Sequence, residues 1–118
     1  MKMETDQEAL SLPEEGKLPD WRLEVEEGRP LDLRDGETVV FTFLSEGEEY
    51  IPENPKFKKA IVFEVLPEEF PIMKRLYVRS NVLKRQIARL GKTITGMKVS
   101  LHRRGEKLAT EWTMQKVG

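Results

Sequence analysis

The sequence predicts a mainly β domain of five strands, with one helix between the third and fourth and an extended strap in front. Three observations carry this expectation. Five short stretches alternate apolar and polar residues at the period of two that a half-buried strand requires. A single stretch, after residue 80, spaces its apolar residues as a helix does. Glycine, proline or short polar residues punctuate the intervals between them. At 118 residues the chain fits one domain and can bury a core without covalent staples.

Residues 1–19 are acidic and broken by Pro13 and Pro19, and read as a mobile arm in which residues 6–12 can form a short helix. Residues 20–118 form the folded unit. In residues 21–25, Trp21, Leu23 and Val25 alternate with Arg22 and Glu24, which predicts a short strand or strap against the core. Leu31 and Leu33 alternate before a turn at Asp35 and Gly36. Residues 38–44 are the clearest strand, with Val39, Phe41 and Phe43 on one face. A long polar loop spans residues 45–59. Residues 60–66 form the second strand, with Ile61, Phe63 and Val65 inward, and residues 74–80 the third, with Leu76 and Val78 inward. Ser80 or Asn81 caps the helix, on which Leu83, Ile87 and Leu90 form a stripe that Gly91 terminates. Residues 97–103, with Met97, Val99 and Leu101 on one face, and residues 109–115, with Thr110, Trp112 and Met114 on one face, are the last two strands, joined by a hairpin loop at residues 104–107.

The absence of cysteine excludes disulfides and thiolate metal sites. No apolar run approaches the roughly 20 residues that span a bilayer, and the first residues lack the pattern of a signal peptide. These features point to a cytoplasmic protein without a membrane partner. Abundant Glu, Lys and Arg beside three Gln and two Asn is a profile seen in proteins of hot-growing organisms. Charge divides sharply along the chain. Residues 1–53 hold five Lys or Arg against 16 Asp or Glu, a net of −11, and residues 54–118 hold 15 against five, a net of +10. The split predicts either a basic binding face or neutralisation of one half by the other within the fold.

Three strands, a helix and two strands resembles the OB-fold, a five-stranded partly open barrel, across about residues 31–116. The run from Gly36 through Thr38, Val39, Val40, Phe41, Thr42, Phe43 and Leu44, with Arg104-Gly105 before Thr110-Glu111-Trp112, is similar to small single-stranded-DNA-binding OB proteins of phages and archaea. The resemblance implies a ligand face on the third strand, flanked by the loops after the first and fourth strands. An SH3-like barrel or a small sandwich carries the same strand count.

Catalytic groups are scarce. The one histidine, His102, sits outward beside Lys98 and Ser100, as a solvated surface residue or a nucleic-acid contact. It cannot build a multi-histidine metal site, and no nucleophile elbow or phosphate loop accompanies it. The acidic run at Glu46, Glu48 and Glu49 does not follow the spacing of a calcium loop. No enzyme activity, metal or cofactor is expected. A basic and aromatic set remains. Arg75, Tyr77 and Arg79 alternate on the outward face of the third strand; Tyr50, Lys56, Phe57, Lys58 and Lys59 lie in the long loop; Arg103, Arg104 and Lys107 lie at the last hairpin. Cations to follow phosphates and flat rings for base stacking are what a single-stranded DNA or RNA site requires. Structural roles account for the same residues. Tyr77 can pack under the strap with Arg75 and Arg79 paired to Glu24 or Glu26, Phe57 can anchor its loop, and Trp21 and Trp112 fit the core. The expected function is sequence-tolerant binding of single-stranded nucleic acid, DNA favoured. The alternative is a protein-interaction module for an acidic or basic partner.

Overall fold

The computed structural model of the chain describes residues 20–118. The arm expected over residues 1–19 lies outside the described residues. Two α-helices and six antiparallel strands follow in the order α1 (Asp20–Glu26), β1 (Thr38–Phe43), β2 (Glu48–Tyr50), β3 (Ala60–Pro67), β4 (Lys74–Val78), α2 (Asn81–Ala88), β5 (Lys98–Arg104) and β6 (Glu111–Lys116). The strands form one sheet in the order β2-β3-β1-β5-β6, with β4 also paired to β3.

β3 organises the sheet. Its last residues pair with β1 (Phe43 opposite Val65), its first with β2 (Tyr50 opposite Ala60), and its other edge takes β4 (Phe63 opposite Leu76). β1 continues to β5 and β5 to β6. No ladder joins β4 to β6 among the described residues, so the sheet is open rather than a closed five-stranded barrel.

Four further expectations are corrected. The loop expected at residues 45–59 contains the extra strand β2, so the helix α2 falls between the fourth and fifth strands. Residues 21–25 are helical, not extended. Trp21 and Val25, at i and i+4, lie on one side of that helix, so the alternation did not reflect a pleat. Nor is Trp21 a core residue, with 63% of its surface exposed. The last hairpin turns over residues 105–110 and includes a 3₁₀ turn at Lys107–Ala109. Gly105, at φ +88°, permits this tight turn. A Cβ there would run into the Ala109 carbonyl oxygen.

The core forms where the inward faces predicted by alternation meet. Phe41, Phe43, Val65, Val99 and Leu101 are fully buried, and α2 adds Leu83 and Ile87. Phe43 contacts Phe41 and Phe63 edge-on, with ring centroids 5.2 and 5.4 Å apart. Ser80 caps α2 by accepting a hydrogen bond from Leu83 N–H at 3.2 Å.

Between α1 and β1 the chain is a strap along the outer edge of β4. Gly28 N–H donates to the Met73 carbonyl, Arg75 N–H to Arg29, and Leu31 N–H to Arg75. The strap then buries Leu33 and receives a hydrogen bond from Arg103 Nη1 on the Leu33 carbonyl. It therefore fills one end of the gap between β4 and β6.

On the other side of that gap, α2 seals β6. The Gln86 amide donates to the Trp112 carbonyl and accepts from Met114 N–H, each at 2.7 Å. One side chain thus supplies both bonds that a neighbouring strand would make. Gln86→Ala should cost about 1–3 kcal/mol, because both backbone groups lose their partner in a half-buried setting. Urea denaturation checks this, and unchanged stability would show that water replaces the amide without loss.

A second clamp joins the loop after β1 to the loop before β5. The Thr95 hydroxyl donates to the Glu46 carboxylate, as do Thr95 N–H at 2.7 Å and Ile94 N–H at 3.0 Å. The Thr95 hydroxyl bond, then the Thr95 N–H bond, hold the Glu46 pKa below its ordinary 4.5 against an opposing desolvation effect, with the Ile94 N–H bond adding least. The folded carboxyl takes a proton less readily than the unfolded one. Its stabilisation is therefore complete above pH 4.5 and is lost as pH falls through the lower folded value. In thermal melts, Glu46→Gln should be less stable than wild type near neutral pH, with the gap closing on acidification. A gap independent of pH would contradict the clamp.

Candidate nucleic-acid interface

The register across β2, β3 and β4 sets the outer face. Tyr50 sits opposite Ala60, and Val62 opposite Tyr77, so both tyrosines share a face with these short or branched residues. Ala60 is fully buried, and its single methyl leaves room for the rings to approach across β3. Tyr50 and Tyr77 meet edge-on at 5.5 Å, and the Arg79 guanidinium lies 5.7 Å from the Tyr77 ring centre. Tyr50 and Arg79 are exposed and Tyr77 is half-buried. A ring pair with a cation on it therefore faces outward.

Arg75 has another role. Its Nη1 donates to the Gly28 carbonyl at 3.0 Å, tying the strap to β4. The pairing to Glu26 that the strap suggested is made instead by Lys74, at 3.1 Å.

Arg103, Arg79 and Lys107 come together around a cleft of about 630 Å³ between β4 and β6. Arg34, Tyr77 and Trp112 also line it, and Asp32 is its one acidic residue among the described residues. Arg103 is half-buried, lies 5.9 Å from the Trp112 ring centre and holds the Leu33 carbonyl. Its Nε is buried without a partner among the described residues. It shapes the cleft wall more than it offers a mobile charge. Lys107 is exposed at φ +53°, on the turn that Gly105 permits. Trp112 packs against the core, as the sequence suggests, and also borders the cleft.

Lys56, Phe57, Lys58 and Lys59 lie on the exposed loop from β2 to β3 and do not line this cleft. Phe57 is 63% exposed and does not anchor the loop, whose turn is held by Lys56 N–H on Asn54 Oδ1 at 2.9 Å. Arg104 is exposed opposite Glu111 and also lies outside the cleft.

The divided charge is only partly neutralised by contact. Lys74–Glu26 and Lys98–Glu68 are the ion pairs formed wholly among the described residues. Lys56, Lys58, Lys59, Arg79, Arg104 and Lys107 make none there. His102 bonds the Thr38 hydroxyl through Nδ1 at 2.8 Å. Among the described residues no cluster of three or more His, Cys, Asp or Glu can hold a metal, and no helix is long and apolar enough to cross a membrane.

No known family, curated protein or solved structure matches the chain.

The sequence missed Arg34 as a site residue. Its only local signal is a cation beside the Asp35-Gly36 turn. Its place at the cleft follows from the path of the strap.

Proposed function

We propose that the chain is a binding module for single-stranded nucleic acid, DNA favoured, with little sequence preference. The observation that carries this is the Tyr50–Tyr77–Arg79 cluster on the outer sheet face, beside a cleft lined by four cations and one acid. Exposed rings offer a surface to any base, and exposed cations follow a phosphate chain of any sequence. Lys56, Phe57, Lys58 and Lys59 extend the same chemistry along the neighbouring loop. The antiparallel sheet with α2 packed against its core supports an OB-like reading of the fold. The competing reading, recruitment of a protein partner by charge, uses the same cations without needing the rings.

Fluorescence anisotropy of labelled oligothymidylate and of a matched duplex separates the two. The proposal expects saturable binding at low salt, with the single strand preferred. It is overturned if neither binds at low salt, or if the duplex binds as well as the single strand.

A further inference from the structure

The gap between β4 and β6 presents two strand edges, and they are treated differently. The β6 edge is occupied at Trp112 and Met114 by the Gln86 amide. The β4 edge is covered by the strap only as far as Arg75, whose N–H and carbonyl both bond outward to it. Backbone groups of an antiparallel strand alternate in direction, so the next outward pair on β4 belongs to Tyr77. Tyr77 N–H and carbonyl point into the cleft, and no strap residue pairs with them.

The cleft is two-faced in composition. Its floor carries Leu33, Leu76 and Leu83, all buried in the core, and its rim carries Arg34, Arg79 and Lys107, all exposed. An extended segment lying beside Tyr77 would send alternate side chains to floor and rim.

We infer that this cleft binds a short extended peptide of another protein, with acidic and apolar residues alternating, by adding it as a strand to β4 beyond the end of the strap. The backbone of Tyr77 supplies the pairing, the leucine floor takes the apolar side chains, and the three rim cations take the carboxylates. Charge complementarity selects an acidic partner over a neutral one, because among the described residues four cations line the cleft against the single carboxylate of Asp32. The sealed β6 edge fixes β4 as the strand that is extended. The peptide site shares Tyr77, Arg79 and the cleft with the proposed nucleic-acid face but does not rest on that reading, and the test below contains no nucleic acid.

The test uses the isotopically labelled protein and a capped peptide of alternating glutamate and valine. Two comparison peptides share its length: one of alternating serine and valine, the other with the glutamate-valine sequence N-methylated at alternate residues. The glutamate peptide should bind, the serine peptide at least about tenfold more weakly, and the N-methylated peptide at least about tenfold more weakly despite its unchanged charge. Tyr77 amide exchange should slow on binding by a similar factor. The surface variant Arg79→Ser/Lys107→Ser, which leaves the core untouched, should lose the preference for glutamate over serine. Equal binding of the methylated and unmethylated peptides would overturn strand addition. So would exchange at Tyr77 that the peptide does not slow, or absence of binding by the glutamate peptide.

Discussion

Phe41→Ala is expected to destabilise the fold by about 3–5 kcal/mol, the largest stability effect of any single substitution considered. Phe41 is fully buried at the middle of β1, and β1 pairs with both β3 and β5. Its ring meets Phe43 edge-on at 5.2 Å, so truncation opens a cavity and also removes an aromatic contact. Strands hydrogen-bonded on both sides cannot easily collapse into such a cavity. A domain of this size has total stability on the order of 5–15 kcal/mol, so the variant should show a large unfolded fraction well below the wild-type midpoint. Urea denaturation followed by tryptophan fluorescence measures the loss. A cost below about 1 kcal/mol would mean that the neighbouring side chains relax into the space and that the three-ring cluster does not hold the sheet together.

Tyr77→Ala is expected to weaken oligonucleotide binding by roughly 5- to 150-fold while leaving the fold intact, the effect of losing one stacked base at about 1–3 kcal/mol. Tyr77 sits at the centre of the ring cluster, so its removal also deprives Tyr50 and Arg79 of their neighbour. Tyr77→Phe keeps the ring and should bind nearly as wild type. Arg75→Ala provides the contrast. Its guanidinium holds Gly28 of the strap, so its loss should lower stability with little direct change in affinity. If Arg75→Ala and Tyr77→Ala lowered affinity equally at full folding, the assignment of separate roles to the two residues would be wrong.

Much of the sheet was legible because its strands are half-buried and their inward residues alternate. Phe41 and Phe43, Phe63 and Val65, Leu76 and Val78, and Val99 and Leu101 all lie inward and buried as that pattern predicts. The helix was legible too, since Ser80 caps it and Leu83 and Ile87 repeat at i and i+4. β2 was hidden because all three of its residues are exposed, and only pairing with β3 makes them a strand. Residues 21–25 misled because five residues satisfy both periods, and with Trp21, Leu23 and Val25 all exposed no buried face arbitrates.

The site was legible in residue type more than in grouping. Arg75, Tyr77 and Arg79 alternate as expected, but only the strap's position shows that Arg75 is tied to Gly28 while Arg79 faces outward on Tyr77. The cleft depends on a gap between β4 and β6, on the Gln86 bridge to Trp112 and on the path of residues 28–34. These are contacts between residues far apart in sequence, which no local period encodes.

The measurement that tests the binding claim most directly is the salt dependence of oligothymidylate affinity. Each phosphate neutralised on a single strand contributes about −0.7 to the slope of log K against log salt. Engagement of about four of the exposed cations therefore predicts a slope near −3. A steep linear fall, made shallower by Lys56→Ser/Lys58→Ser/Lys59→Ser, is the result this account predicts. Affinity that is flat in salt, or no binding even at the lowest salt, would contradict it.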